Sequence, residues 1–309
     1  MSKAVTSDDS SNDPKPLTFT EIEIPVPWGK IAAKVWGAAD NIPLLAVHGL
    51  QDNAGTFDRL VPFLPKHFYI VCIDLPGHGC SSHFPPGFVL HYMDYILSVR
   101  RVVDFLKWKQ FYFLGHSYGA QLGAYFSAFW PEHIIKLVML DAISTFVYSD
   151  FMDRFPVSSS RLLNMENRIA KKQPPAYSFE EALQRMLESR ISKLTDDAAK
   201  TLIMRSLVKR NNGVGFSTDQ RLKFAAWVPW GPEQNVNILQ RIRCPQLIVL
   251  ASQSLPILSQ SFSREMKMFR SRRNFTCIVV DGNHDVHNNQ PEIVGPIVTK
   301  FFTADKSSL

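Results

Sequence analysis

Ser117 is the residue best placed to act as a nucleophile, because it lies between two glycines in Gly115-His116-Ser117-Tyr118-Gly119. The pattern G-x-S-x-G is typical of a sharp turn from a strand into a helix, which lifts the serine hydroxyl clear of the backbone. The apolar run FYFL before the motif and the helix-like GAQLGAYFSAFW after it supply that context. A side chain at either glycine would clash with the adjacent strand or helix. The sequence therefore predicts a catalytic serine, with a purely structural turn as the alternative.

A serine hydroxyl is a poor nucleophile at neutral pH unless a base lies within hydrogen-bond reach. Of the nine histidines, His284 is the best candidate for this base. It follows the last apolar run in the stretch VVDGNHDVHNNQPE, where Gly282 permits a sharp exit from the strand. His287, three residues further on, is the alternative base or a surface residue.

The third residue that this chemistry needs is a carboxylate that orients the imidazole and stabilises its charged form. The usual chain order is serine, acid, histidine. The segment LIVLASQSLPIL after the penultimate apolar run contains no carboxylate, whereas the run after the nucleophile helix ends in VMLDAI and supplies Asp141. We expect Asp141 to be the acid; otherwise it caps the following loop. Asp281 and Asp285 lie so close to His284 in sequence that a well-aligned contact with its far nitrogen is awkward.

Two backbone N–H groups are expected to stabilise the oxyanion that forms when a serine attacks a carbonyl. One is the N–H of Tyr118, directly after the nucleophile. The other is the N–H of Leu50, in the loop that follows LLAVHG. We expect His48 and Gly49 to shape that turn, with His48 as a second base the alternative.

The turn-rich stretch DLPGHGCSS contains Asp74, His78 and Cys80, which we interpret as structural, and as inert in the case of the thiol. The four cysteines show no CxxC spacing, which favours a reduced, intracellular protein. No set of residues has metal-ligand spacing and no phosphate-binding glycine loop is present, so we expect neither a metal nor a cofactor.

Six short, nearly continuous apolar runs favour an α/β fold with a mostly parallel, doubly wound sheet, because strands buried on both faces read this way. Helical patterns lie between several of the runs. The opening segment alternates apolar and polar residues from Phe19 to Val26, breaks at Pro27–Gly29 and resumes at Ile31–Trp36, which predicts an antiparallel hairpin at the sheet edge. The six runs are Leu44–Val47, Tyr69–Ile73, Phe111–Leu114, Lys136–Leu140, Leu247–Leu250 and Cys277–Val280.

The strand–helix alternation stops between residues 144 and 237, which predicts an inserted helical cap over one edge of the sheet. Ser178 and Glu181 form a capping-box pattern before one helix. Thr195 is expected to cap a second helix that continues through Arg210 and stops at Gly213.

The predicted organisation has an α/β core interrupted by this cap, with polar ends that we expect to lie outside the core. Trp227 and Trp230 either line a pocket under the cap or pack in the core. The predicted ranges are a disordered lead-in at 1–16, the core at 17–143 and 238–303, the cap at 144–237 and a tail at 304–309.

The net charge of +6 is concentrated in the middle of the chain. Residues 151–230 hold 14 Lys and Arg against 8 Asp and Glu, whereas the rest of the chain is balanced. A solvated set of helix faces or attraction for an anionic substrate would both account for the excess. No dense basic stretch indicates nucleic-acid binding. No run of 18 apolar residues predicts a membrane span.

Four quoted stretches resemble the α/β-hydrolase superfamily: HGLQDNAGTFDRL, DLPGHGCSS, LGHSYGA and GNHDVHNNQPE. The stretches IPVPWG, QDNAGTFD, PPAY and RIRCP resemble, more specifically, the serine hydrolase-like family within it. The similarity runs from about Phe19 to Phe302. The resemblance implies an α/β-hydrolase fold, Ser117 as nucleophile and His284 as base. It also implies that an acid at the position of Asp141 is an accepted variant.

The same resemblance argues against two reactions. Relatives that hydrolyse epoxides or carbon–halogen bonds carry an aspartate at the turn where this chain has Ser117.

Members of the family are suspected to be peroxisomal, and the C-terminal Ser-Ser-Leu matches the S-K-L address at its first and third positions. We expect a cytoplasmic protein, with a peroxisomal one as the alternative.

The resulting hypothesis is a serine hydrolase that transfers an acyl group from an ester or thioester to water. Its partner would be a small-molecule acyl substrate. A catalytically weak ligand-binding protein with the same fold and a carbon–carbon bond hydrolase with the same triad are the alternatives. Neither the oligomeric state nor the acyl length follows from the sequence.

Overall fold

The chain folds around an eight-stranded sheet, with helices on both of its faces. The computed structural model describes residues 18–147, 150–171, 174–190, 192–224, 228 and 230–304. The strands are β1 (Thr20–Val26), β2 (Gly29–Trp36), β3 (Ile42–Val47), β4 (Phe68–Ile73), β5 (Phe111–His116), β6 (Ile134–Leu140), β7 (Leu207–Arg210), β8 (Gly213–Phe216), β9 (Gln246–Ala251) and β10 (Phe275–Val280). The helices are α1 (Tyr92–Phe105), α2 (Tyr118–Phe129), α3 (Phe151–Lys171), α4 (Phe179–Ser189), α5 (Asp196–Ser206), α6 (Pro232–Leu239), α7 (Leu255–Ser261), α8 (Ser263–Arg270), α9 (Val286–Asn289) and α10 (Pro291–Thr303).

The strand order in the large sheet is β1-β2-β4-β3-β5-β6-β9-β10. The pairs from β4 through β10 are all parallel, so the six apolar runs of the sequence form the predicted parallel sheet. β1 pairs antiparallel with β2 in the register Val26 opposite Gly29, and β2 pairs antiparallel with β4. The predicted hairpin at the sheet edge is confirmed. Because the central strands are parallel, their carboxyl ends all meet at one edge of the sheet.

Each face of the sheet is buried under its own layer of helices. Leu45 and Val47 of β3 belong to the apolar cluster that includes α1 and α2. Leu44 and Ala46 of the same strand belong to the opposite cluster, which includes α10. Successive side chains of a strand point to opposite faces of the sheet. Because both faces are buried here, nearly every residue of such a run is apolar.

The segment between β6 and β9 contains α3 to α6, as the helical pattern predicts. The capping box at α4 is present, because the Ser178 N–H donates to Glu181 at 2.9 Å and the Glu181 N–H donates to Ser178 Oγ at 3.1 Å. Thr195 Oγ1 accepts a hydrogen bond from the Ala198 N–H at 3.3 Å and caps α5. The outer limits of the predicted cap stay a prediction.

The prediction that the second helix continues through Arg210 is wrong. α5 ends at Ser206, and Leu207–Arg210 is instead the strand β7, which pairs with β8 in the register Arg210 opposite Gly213. The physical reason is the turn at Asn211 and Asn212, because asparagine side chains bond to nearby backbone groups and favour turns over helix interiors. Gly213 is the first residue of β8 and lies opposite Arg210, so it begins a strand and does not end a helix. Its φ of +139° is one that glycine adopts readily.

Several expectations fall on residues outside this description: the lead-in at 1–16, the C-terminal Ser-Ser-Leu and Trp227. Trp230 packs with its ring centroid 5.6 Å from that of Tyr125 and donates from Nε1 to Asn235, which is the core-packing alternative. Within the described part of the chain, no helix has both the length and the apolar character needed to cross a membrane.

Candidate active site

Ser117 lies at the junction of β5 and α2, in a backbone conformation that side chains rarely adopt. Its φ is +49° and its ψ is −115°, and its N–H donates to Leu140 O of the neighbouring strand at 2.9 Å. Such a conformation costs about 1–3 kcal/mol and persists only where the surroundings enforce it. The predicted sharp turn is therefore present, and the turn is strained at the serine itself.

The two glycines of the motif allow this turn to pack. A Cβ atom at Gly119 would lie 2.0 Å from Val47 O, and one at Gly115 would lie 2.4 Å from the backbone N of Ala120. Real Cβ atoms do not come this close to other atoms. The steric role that the sequence suggested for both glycines is thus a property of the structure.

His284 and Asp141 are brought together from distant parts of the chain. Nδ1 of His284 lies 2.6 Å from Oδ2 of Asp141. Gly282 leaves β10 with a φ of +143°, which allows the chain to turn toward the carboxyl edge of the sheet. Asp141 follows β6, is 1% exposed and has a φ of +48°.

The carboxylate of Asp141 is held in place by the segment after β9. Oδ1 accepts from the Ala251 N–H at 2.7 Å, and Oδ2 accepts from Ser254 Oγ at 2.5 Å. The segment that offers no carboxylate therefore supplies donors to a carboxylate on the neighbouring strand. The sequence contained a signal for Asp141, its position in the chain order, but none for Ser254.

The environment of His284 favours its charged form. Burial by itself would lower the pKa of the imidazole, but the hydrogen bond that Nδ1–H donates to Asp141 and the negative charges of Asp141, Asp285 and Asp52 outweigh burial and raise the pKa. The side chain is 37% exposed, so water and a substrate can reach it. The raised pKa and the partial exposure are compatible with the expected role of His284 as a base.

His116, the residue before Ser117, links the two candidate segments. Its Nε2 donates to the backbone O of His284 at 2.9 Å, and the two rings lie 4.8 Å apart. Because Nε2 carries the proton of this bond, Nδ1 is the free acceptor of the neutral ring. Burial lowers the pKa of His116, which keeps it neutral. The contact holds the loop that carries His284 against the turn that contains Ser117.

The loop after β3 brings Gly49, the residue before Leu50, against Ser117. The Asp52 N–H donates to Gly49 O at 3.1 Å and closes a four-residue turn, with Gln51 at a φ of +65°. A Cβ atom at Gly49 would lie 3.2 Å from Cβ of Ser117. The backbone of this turn is therefore in van der Waals range of the serine. The other expected donor, the N–H of Tyr118, begins α2.

His48 is a structural residue. Its Nδ1 donates to Gly49 O at 2.7 Å and its Nε2 accepts from the Leu75 N–H at 2.9 Å, so both ring nitrogens are used. Complete burial lowers its pKa to about 4. It shapes the Leu50 turn, as predicted, and has no nitrogen left to act as a second base.

Asp74 and His78 are also structural, as expected. Asp74 accepts from the Ala54 and Cys80 N–H groups at 2.8 Å each. His78 is fully buried, which lowers its pKa to about 3. Burial raises the pKa of the Cys80 thiol, in agreement with an inert cysteine.

His287, the alternative base, is fully buried and points away from Asp141 toward Thr56, whose Oγ1 lies 2.8 Å from its Nε2. Burial, together with His116 and His284 nearby, lowers its pKa well below the ordinary value. Its ring lies 4.0 Å from that of His116. Its complete burial and lowered pKa distinguish it from His284, whose pKa is raised.

Arg190, which sequence reasoning missed, joins two buried carboxylates next to the site. Nη1 donates to Asp52 at 2.6 Å and Nη2 donates to Asp285 at 2.9 Å. Asp52 and Asp285 together with His116 are, among the described residues, the one set whose atoms converge enough to hold a metal ion, within 4.8 Å of one another. The guanidinium of Arg190 already occupies one oxygen of each carboxylate and supplies positive charge there.

Comparison with known proteins identifies the fold family. The sequence model described as the alpha/beta hydrolase fold matches residues 42–289. The chain belongs to the α/β-hydrolase family. Within this family it is 33% identical to human serine hydrolase-like protein 2, over 94% of this chain and 96% of the relative. It is 31% identical to a probable serine hydrolase of Drosophila melanogaster, over 92% of this chain and 88% of the relative.

Two solved structures show the same architecture. A hypothetical protein from Pseudomonas aeruginosa PAO1 superposes with a TM-score of 0.81 at 28% identity, covering 92% of this chain and 99% of the other. A thioesterase domain from the curacin biosynthetic pathway superposes with a TM-score of 0.78 at 18% identity, covering 91% and 99%. The second likeness, at this low identity, is one of fold alone.

Proposed function

We propose that the protein is a serine hydrolase that cleaves a carboxylic ester or thioester through Ser117, His284 and Asp141. The observation that carries the proposal is the 2.6 Å contact between His284 Nδ1 and Asp141, held against the strained turn at Ser117. A carboxylate at Nδ1 fixes the proton on that nitrogen. Nε2 is then left with a free lone pair that can accept the serine proton.

The reaction would proceed in two acyl-transfer steps. Ser117 Oγ attacks the carbonyl carbon while His284 Nε2 takes its proton, and His284 then returns that proton to the leaving alcohol or thiol. Water, deprotonated by His284, next attacks the acyl-serine ester and releases the acid. Asp141 stays ionised throughout and stabilises the imidazolium. No cofactor is needed for either step.

The oxyanion of each tetrahedral intermediate would be bound by the N–H groups of Leu50 and Tyr118. Two observations support this assignment: the Leu50 turn lies against Ser117, and Tyr118 is the first residue of α2, whose N-terminal N–H groups have no partner within the helix. Removal of one such donor typically costs about 10²–10³ in rate.

Catalysis is favoured over the alternative of a non-catalytic binding protein. The main support for that alternative is the missing carboxylate after β9. The segment after β9 instead donates two hydrogen bonds to Asp141, from the Ala251 N–H and from Ser254. A carbon–carbon bond hydrolase would use the same three residues, and a substrate screen separates it from an esterase.

The basic middle segment bears on the charge of the substrate. Two of its arginines pair with acidic residues of the core: Arg190 pairs with Asp52 and Asp285, and Arg205 pairs with Asp74 and Glu21. Part of the +6 excess therefore fastens this segment to acidic residues of the core. The remainder would favour anionic substrates such as acyl-CoA at low salt.

The test is labelling of the purified protein by a fluorophosphonate probe, together with turnover of short and long p-nitrophenyl esters. Wild type is expected to be labelled and to show turnover, and Ser117→Ala is expected to lose both. Labelling that persists in Ser117→Ala would remove Ser117 from the mechanism. Absence of ester turnover in wild type, with labelling intact, would point to a different scissile bond.

A further inference from the structure

Arg190 lies at the C-terminal end of α4 and reaches from the inserted segment into the core. Its guanidinium contacts Asp52 at 2.6 Å and Asp285 at 2.9 Å, although the two pairs are separated by 138 and 95 positions in the chain. The Arg190 side chain is 20% exposed, whereas those of Asp52 and Asp285 are 2% and 0% exposed. One side chain thus bridges two buried carboxylates from different loops.

Each carboxylate belongs to a loop that carries a proposed reacting group. Asp52 closes the turn whose second residue is Leu50, through its N–H bond to Gly49 O. Asp285 directly follows His284, and its N–H donates to Asn283 Oδ1 at 3.1 Å. Arg190 therefore contacts both the proposed oxyanion donor loop and the proposed base loop.

Arg190 also neutralises the two buried carboxylates near His284, those of Asp52 and Asp285. Oδ2 of Asp285 has no hydrogen-bond partner among the described residues, so the guanidinium is its main source of compensation. Without Arg190, two buried carboxylates would face each other with no cation between them. Removing one partner of a buried pair leaves an uncompensated charge, which is strongly destabilising.

We propose that Arg190 is a positioning residue, which couples docking of the inserted segment to alignment of the base loop and the oxyanion donor loop. The proposal rests on the proposed function for its kinetic consequences, but its structural and titration consequences do not need catalysis. In this role the inserted segment completes the site, because Arg190 aligns both loops only when α4 is docked.

A simple structural staple is the competing explanation, and Arg205 provides the matched control. Arg205 is also an arginine of the inserted segment, is similarly buried and pairs with Asp74 and Glu21 of the core. Neither of those acids is adjacent to a proposed reacting residue. Arg205→Met should therefore lower thermal stability without changing the behaviour of His284.

The experiment compares Arg190→Lys, Arg190→Met and Arg205→Met in the full chain. The readouts are kcat and KM for an ester, the pH profile of kcat/KM, thermal stability, and NMR titration of the His284 imidazole, assigned with His284→Asn. The charged groups around His284 are Asp141 after β6, Asp285 in its own loop, Asp52 in the Leu50 turn and Arg190 itself, and the neutral titratable groups are His116 of β5 and His287 of α9.

Arg190→Lys keeps the charge but cannot bridge both acids in the same way. We expect kcat to fall at least tenfold with KM nearly unchanged, and the titration midpoint of His284 to stay near that of wild type. Arg190→Met also removes the charge. We expect a larger fall in kcat and a rise of the His284 midpoint by about one pH unit, because two unpaired carboxylates favour the imidazolium.

Several outcomes would overturn the proposal. It fails if both Arg190 variants keep wild-type kcat and titration while losing stability as Arg205→Met does. It also fails if Arg190→Lys, which keeps the positive charge, shifts the titration midpoint of His284 as much as Arg190→Met, which removes the charge. Should Arg190→Met not fold, the kcat of Arg190→Lys decides alone. If wild type is not labelled at Ser117, the proposed function fails, and the NMR titration still decides the role of Arg190.

Discussion

Ser254 donates a 2.5 Å hydrogen bond from Oγ to Oδ2 of Asp141, the same oxygen that faces Nδ1 of His284. The carboxylate of the proposed triad is therefore oriented by the segment after β9, which itself contains no carboxylate. Asp141 follows β6, the strand next to β9, and its carboxylate contacts the imidazole at Nδ1.

The first prediction concerns Asp141 and the hydroxyl that orients it. Asp141→Asn should lower kcat by about 10⁴, because an amide can hold the imidazole in the wrong tautomer. Ser254→Ala should lower kcat about tenfold, since it removes one hydrogen bond to a charged group. Ser259→Ala is the matched control, because the Ser259 hydroxyl donates to Pro256 O in its own helix. Equal activity of all three variants would exclude Asp141 as the acid.

The second prediction is the pH dependence of turnover. The pKa of His284 is raised above its ordinary value, so the neutral base is lost as pH falls through a value above 6.5. We expect kcat/KM to rise with pH across the neutral range to a plateau. In Asp141→Asn the residual activity should have its acid limb at lower pH, because the main cause of the raised pKa is gone. A limb that does not move would mean that another group titrates.

The third prediction concerns the glycines of the turn. Gly119→Ala should destabilise the fold by about 3 kcal/mol or more, because the added methyl group collides with the backbone of β3. Gly231→Ala is the control, since a Cβ there meets nothing within 4 Å. Its cost should stay within about 1 kcal/mol. Chemical denaturation measures both, and a tolerant Gly119 would contradict the close approach of α2 to β3.

The fourth prediction is loss of stability in mild acid. His48 and His78 have pKa values of about 4 and about 3 in the folded state, because both are buried as neutral rings. In the unfolded chain they take up protons near pH 6.5, so the free energy of unfolding falls as pH drops below that value. Each should contribute a loss of about 2 kcal/mol by about pH 5.

The variant His48→Asn tests this contribution, with the exposed His67→Gln as control. The slope of stability against pH below 6.5 should become shallower in His48→Asn and stay the same in His67→Gln. A parallel dependence in wild type and His48→Asn would show that other groups cause the acid sensitivity.

How much of this could be read from the sequence depended on the range of the interactions. The parallel strands, the turn at Ser117 and the capping box at Ser178 depend on patterns among residues that are close together in the sequence, and all were predicted. Asp141 was predicted because chain order restricts where an acid can lie. The hairpin at Asn211–Gly213 has a local signal too, but the helix-like composition before it concealed the signal.

The rest could not be predicted, because it depends on contacts between remote positions. Nothing near Arg190 in the chain marks it as the partner of Asp52 and Asp285, 138 and 95 positions away. The same holds for Ser254, whose partner Asp141 lies 113 positions away. Such pairs can be identified only once the strand order is known, because the strand order determines which loops lie next to one another.

The left-handed backbone at Ser117 has a consequence for how this protein can be evolved in the laboratory. Glycine is the residue that this conformation suits best, so serine is not the choice that heat resistance alone would make. A library randomised at position 117 and selected only for survival of heating should enrich glycine. Only a further round of selection for chemical turnover would restore serine.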